Sequence, residues 1–135
     1  MAIKWPFGHF RYIRVIVMRA KVKSFQIAEI DDVYNFTPKD QDNFSFLLEL
    51  MVGPDEDEGE ESFNIQVCTP KWLLSNMKKD DTLFGNYLLI VIEYDFERIF
   101  SRIKRIIESC EGNNWDEIAG KVSRIGHWEF EDYVA

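Results

Sequence analysis

Any nucleophile–base pair in this sequence would draw on two histidines, His9 and His127, and two cysteines, Cys68 and Cys110. Cys68 with His127 would make a thiol hydrolase, the imidazole activating the thiolate. The surroundings argue against it. Cys68 closes an alternating strand just before a helix cap, a structural position. His127 follows a helix stop and precedes an aromatic tail, which suits a packing or surface histidine. Two cysteines are too few for a disulfide scaffold and their spacing matches no metal motif, so both read as buried, reduced thiols. The seven glycines are scattered and form no phosphate-binding loop. Neither HExxH nor paired-cysteine zinc spacing occurs. No catalytic group, cofactor or metal site is expected; a Cys68–His127 hydrolase stays as a minor reading.

The densest chemical feature is acidic. Asp55, Glu56, Asp57, Glu58, Glu60 and Glu61 crowd around Gly59, just after Gly53-Pro54. A calcium loop needs alternating oxygen ligands, a glycine at its sixth position and a glutamate at its twelfth. Counted from Asp55, those positions hold Glu60 and Gln66, so the match fails. Two readings outweigh a metal site here: a solvated hairpin tip, or a lure that steers a basic partner and speeds association at low salt. Glu129, Glu131 and Asp132, interleaved with Trp128, Phe130 and Tyr133, form a second acidic patch with the same ambiguity. Arg98, Arg102 and Arg105 recur along one helix side, as a solvated face or as counter-charges to these acids.

The whole chain of 135 residues carries 24 acidic and 16 basic side chains, net −8. That balance suits a basic protein partner and opposes direct binding of nucleic acid. Its length fits about one domain. With 46% hydrophobic and 15% aromatic residues it has material for a packed core. No apolar run is long enough to span a membrane, and no cleavable leader is recognisable. The protein is therefore expected to be cytoplasmic. The first 17 residues contain Lys4, Arg11 and Arg14 and no acid, leaving 13 basic and 24 acidic residues, net −11, in the remainder. This shift suggests an N-terminal extension over 1–17 and a single domain over 18–135. The alternative is an ordinary first strand through Ile13, Val15 and Val17.

These side chains are carried by elements that can be read from spacing. Residues 19–30 alternate weakly, with a register break between Val22 and Phe25. Residues 31–43 are polar and read as a loop. Phe44, Phe46, Leu48, Leu50 and Val52 recur at period two, as do Phe63, Ile65 and Val67, predicting a hairpin with the acidic segment at its tip. Thr69-Pro70 is a helix start. Tyr87–Tyr94 is apolar throughout most of its length and reads as a central strand covered on both faces. Phe96, Ile99, Phe100, Ile103, Ile106, Ile107 and Cys110 form a helical stripe after the capping Asp95. Asn114 with Glu117 opens another helix, whose inner face is Trp115, Ile118, Val122 and Ile125. Trp72 and Trp115 read as core. Strands come early and helices late. The expected fold is α+β, an antiparallel sheet of about four strands with helices packed on one face.

Three segments occur in order: Phe63-Asn64-Ile65-Gln66-Val67-Cys68-Thr69-Pro70-Lys71-Trp72-Leu73, then Ile92-Glu93-Tyr94-Asp95-Phe96, then Asn114-Trp115-Asp116-Glu117-Ile118 followed by His127-Trp128-Glu129-Phe130-Glu131-Asp132-Tyr133. Together they resemble the immunity protein 8 family of bacterial polymorphic toxin and contact-dependent inhibition systems, over roughly Met18 to Tyr133. The resemblance implies a small α+β cytoplasmic protein that is not an enzyme. It would be encoded beside a toxin and protect the producing cell by binding the toxin's C-terminal domain, often a nuclease in such systems. Trp72, Trp115, Trp128 and Phe130 can mark the shared fold, so the partner-binding residues are assigned by charge: Asp55, Glu56, Asp57, Glu58, Glu60 and Glu61, then Glu129, Glu131 and Asp132. A monomer and a dimer are both compatible with the sequence. The competing reading is a general α+β interaction or adaptor domain unconnected with toxins.

Overall fold

The computed structural model describes residues 2–4, 10–12 and 17–129. His9, Ile13, Val15, Phe130, Glu131, Asp132 and Tyr133 lie outside the described residues. The elements in chain order are β1 (Ala2–Lys4), β2 (Phe10–Tyr12), β3 (Met18–Ile27), β4 (Ser45–Pro54), β5 (Glu61–Cys68), α1 (Pro70–Asn76), β6 (Leu88–Ile90), α2 (Phe96–Glu108), β7 (Glu111–Gly112), α3 (Trp115–Val122) and β8 (His127–Trp128). β1 and β2 pair with each other, antiparallel, as a two-stranded ribbon. The other six strands form one sheet in the order β6-β5-β4-β3-β7, with β8 on the same edge of β5 as β6.

The sheet grows from the predicted hairpin. β4 and β5 pair antiparallel from Ser45↔Cys68 to Val52↔Glu61. Period two sends Phe46, Leu48, Leu50 and Val52 to the same face as Phe63, Ile65 and Val67, and all seven are buried. β3 pairs with β4 antiparallel, and its register shifts between Val22 and Ser24. This bulge, which leaves Lys23 as the extra residue, explains the broken alternation. It resets the parity, so Ala20 and Val22 before it and Phe25 and Ile27 after it share one face.

α2 and α3 cover that face. Phe96, Ile99, Ile103 and Ile107 of α2 are buried, as are Ile118, Ala119 and Val122 of α3, in one cluster with the strand residues. Full burial of each large aliphatic side chain contributes about 1.5–3 kcal/mol. Both helices start on predicted caps. Asp95 Oδ1 accepts from the Arg98 N–H at 3.2 Å, and Asn114 Oδ1 from the Glu117 N–H at 2.9 Å. The carboxylate of Glu117 turns back to accept from the Asn113 N–H at 2.7 Å. On the other face of the sheet, side chains are largely polar and partly solvated. Gln26 donates to Glu49 at 2.9 Å and Gln66 to Ser45 at 3.0 Å.

The fold is therefore α+β as expected, with three differences from the expected pattern. The sheet has six strands rather than about four, because β7 and β8 are two residues each, too short to leave a periodic trace. One pair, β5–β6, is parallel. The helix α1 lies between those two strands in sequence, and such a crossover returns the chain in the same direction. Finally, Tyr87–Tyr94 is not a central strand. Only Leu88–Ile90 is a strand, and it sits at the sheet edge with Ile90 53% and Ile92 75% exposed. Trp72 likewise is not core: α1 has no buried residue, and Trp72 is only half-buried. Trp115 does pack against the core.

Candidate functional site

The acidic segment is the turn of the β4–β5 hairpin, and residues 55–60 are exposed. Local contacts give it a defined course. The Asp57 N–H donates to the Pro54 carbonyl at 3.3 Å, and the Glu58 N–H to Asp57 Oδ1 at 2.7 Å. The loop then doubles back on Gly53. A Cβ at that position would lie 1.9 Å from the Gly59 carbonyl oxygen, so only glycine fits the approach. β3 anchors the loop from the side. The Asp55 N–H donates to the Arg19 carbonyl at 2.9 Å. Lys23 Nζ donates to the carbonyls of Asp57 and Gly59, and Lys21 Nζ lies 3.9 Å from Asp55 Oδ1.

Lys21 and Lys23 thus hold the loop mostly by its backbone and one outer carboxylate. The side chains of Glu56, Glu58 and Glu60 have no ion pair or hydrogen bond among the described residues. Among the described residues they are the uncompensated charges of the tip. Beside them is an open groove of about 560 Å³. It is lined by the apolar Val17, Met18 and Pro54, by the acidic Asp55, Glu56 and Asp57, and by Arg19 and Asn113. The Arg19 guanidinium is turned to Glu111 at 3.3 Å.

Two other acids assigned to the partner surface have structural bonds. Glu61 begins β5 opposite Val52, and its Oε2 accepts from the Trp128 indole N–H at 2.5 Å. Glu129 exchanges two bonds with Ser62: its N–H donates to the Ser62 carbonyl and its Oε1 accepts from the Ser62 N–H, both at 3.1 Å. The Trp128 ring stacks on Phe63, with centroids 6.1 Å apart. Together these contacts fasten the segment after α3 to β5. Glu131 and Asp132 lie outside the described residues.

The remaining chemical candidates do not converge. Cys68 is fully buried, and burial pushes its thiol above the ordinary value, which keeps it protonated. His127 pairs with Asn64, four residues back along β5 from Cys68. At the strand rise that is about 13 Å, far beyond hydrogen-bond reach. Among the described residues no three His, Cys, Asp or Glu side chains are grouped to hold a metal ion. No helix among them is long and apolar enough to cross a membrane. Arg98 pairs with Asp95 on its own helix at 3.9 Å, and neither Arg102 nor Arg105 is ion-paired among the described residues.

A family model described as immunity protein 8 matches residues 20–133. The chain belongs to the immunity protein 8 family. No curated protein and no solved structure matches it. In this immunity protein the segments carrying the resemblance do fold-level work. Thr69, fully buried, accepts through Oγ1 from the Phe44 N–H at 3.2 Å and the Trp72 N–H at 3.3 Å, so one hydroxyl both starts α1 and pins the entry to β4. Asn114 and Glu117 start α3, and Trp128 closes the edge of β5. Lys21, Lys23 and Asn113, which shape the tip and its groove, escaped the sequence reading. They join the tip from distant parts of the chain, and only the alternation of the two lysines in a strand adjoining the hairpin hinted at their role.

Proposed function

We propose that this immunity protein binds and neutralises a cognate bacterial toxin domain in the cytoplasm of the producing cell, and that the acidic hairpin tip is where the toxin docks. The observation carrying this reading is the charge of Glu56, Glu58 and Glu60, uncompensated among the described residues, on a loop that Lys21, Lys23 and Gly53 hold in one course. A pre-shaped loop loses little conformational freedom on binding. The groove beside it, lined by both apolar and acidic residues, has the character that accepts the alkyl stem and charged head of a lysine or arginine. The favoured partner is therefore a toxin domain with a basic face, such as a nuclease presents to its nucleic acid.

Glu61 and Glu129 are secondary in this proposal, because each first serves the fold through Trp128 and Ser62. The direct test is co-expression with the C-terminal domain of the toxin encoded beside this protein. The expected result is restored growth and a complex that co-purifies. Growth arrest with no complex overturns the proposal. Restored growth and undiminished binding after charge reversal of Glu56, Glu58 and Glu60 would retain the toxin and remove the tip.

A further inference from the structure

The parallel strand β6 leaves the sheet open on its outer side. The Tyr87 carbonyl accepts from the Gln66 N–H, and the Val91 N–H donates to the Cys68 carbonyl, both at 2.9 Å. With the register Gln66↔Leu88 and Cys68↔Ile90, residues 87, 89 and 91 face β5. The N–H and C=O groups of Leu88 and Ile90 point the other way, and nothing pairs with them among the described residues. Exposed sheet edges are normally blunted by shortness, a charge, a proline, a bulge or a covering loop, and of these β6, three residues long, has the first. From Leu88 to Ile92 the sequence is Leu-Leu-Ile-Val-Ile, with neither charge nor proline. Ile90 and Ile92 stand exposed, and the segment leading into the strand exposes Phe84 at 90%.

We propose that this edge pairs with the same edge of a second copy of the chain, antiparallel about a two-fold axis at Leu89. The chemistry of the match is in the strand itself. Leu88 of one copy falls opposite Ile90 of the other, and each such pair exchanges both outward hydrogen bonds, as an antiparallel ladder requires. The facing side chains are branched and apolar, a favourable cross-strand combination. The ladder is bounded by Tyr87, whose φ is +58°, and by the bend at Ile92-Glu93, so no charged residue falls within the paired stretch. The interface is self-complementary, the condition for a closed dimer. It would join the two sheets into one continuous sheet and leave both acidic tips free. The inference does not rest on the toxin reading.

The test is the mass of the full chain by sedimentation equilibrium, from low micromolar to near-millimolar concentration and at two salt concentrations. A shift from one chain to two is expected as concentration rises. Added salt should move the midpoint to lower concentration, because it screens repulsion between two chains of net −8. Screening acts oppositely on the capture of a basic toxin, so the two proposals fail separately. Ile90→Lys and Leu88→Lys should each stay monomeric with an unchanged circular dichroism spectrum, while Ile106→Lys on α2 should still dimerise. A chain that is monomeric throughout overturns the proposal, as does a dimer that survives both folded edge variants. A monomer whose Ile90→Lys variant loses toxin capture also overturns it and gives the edge to the toxin. If the variants do not fold, hydrogen exchange of the wild-type chain decides: protection of the Leu88 and Ile90 amides must rise with chain concentration.

Discussion

Reversing Glu56, Glu58 and Glu60 to lysine isolates the electrostatic role of the hairpin tip. These side chains are exposed and carry no bond among the described residues, while the loop's course depends on Lys21, Lys23, Asp57 and Gly59. The triple variant should therefore fold with a wild-type melting profile, and its effect should fall on association. Two unit charges about 10 Å apart in water interact by roughly 0.4 kcal/mol, which screening reduces to about 0.3 kcal/mol at 0.01 M salt and about 0.1 kcal/mol at 0.15 M. Three reversals change the tip charge by six units. Against a single net positive charge on the toxin, the encounter is destabilised by roughly 1.8 kcal/mol at the lower salt and about 0.7 kcal/mol at the higher. The association rate should drop about 20-fold and about threefold respectively, with dissociation much less affected. Stopped-flow association kinetics with the purified toxin domain across a salt series reads both numbers. An association rate and salt slope equal to the wild type's would refute steering by the tip and reduce the acids to a solubilising turn.

Four further expectations concern the fold that carries the tip. Trp128→Phe keeps the ring against Phe63 but leaves Glu61 without the indole N–H, and chemical denaturation should show a loss of about 1–3 kcal/mol; no change would mean that this bond is replaced by water. Ile107→Ala removes a fully buried side chain where α2 meets the sheet and should cost about 2–5 kcal/mol in the same assay. Asn114→Ala removes the α3 cap, at about 1 kcal/mol, and fully wild-type stability would contradict the capping geometry. Cys68, whose thiol burial pushes up, should resist an aqueous thiol reagent in the folded chain at mildly alkaline pH and react only on unfolding. For an acid raised in this way, the contribution to stability is complete below the unfolded thiol value. It is lost as pH rises from there through the folded value. Rapid labelling of native Cys68 would show that the site opens.

Much of the frame was legible because local signals agreed with one another. Strict alternation in Phe44–Val52 and Phe63–Val67 had only one way to bury its apolar side chains. The α2 stripe, with Asp95 at its head, likewise left a single helical face. Caps at Thr69, Asp95 and Asn114 read correctly because they satisfy N–H groups a few residues away. Misreadings came where context outweighed composition. Tyr87–Tyr94 has the apolar content of a central strand, yet only one side of Leu88–Ile90 is paired, and neighbours rather than hydropathy decide centre from edge. Trp72 has a core residue's chemistry on a helix that buries nothing fully.

The candidate site divides along the same line. By itself the sequence determined that Asp55, Glu56, Asp57, Glu58 and Glu60 would occupy one exposed turn, since the two flanking strands and Gly53-Pro54 leave that segment nowhere else to go. It also determined the family, through segments that include the local caps of α1 and α3. Tertiary structure alone decided which acids are uncompensated among the described residues. Lys21 and Lys23 reach the loop because β3 lies beside β4, and Glu61 is claimed by Trp128 because β8 returns to β5. Charge is a property of each residue, but its compensation depends on distance, and distance between remote parts of a chain exists only once the sheet has formed.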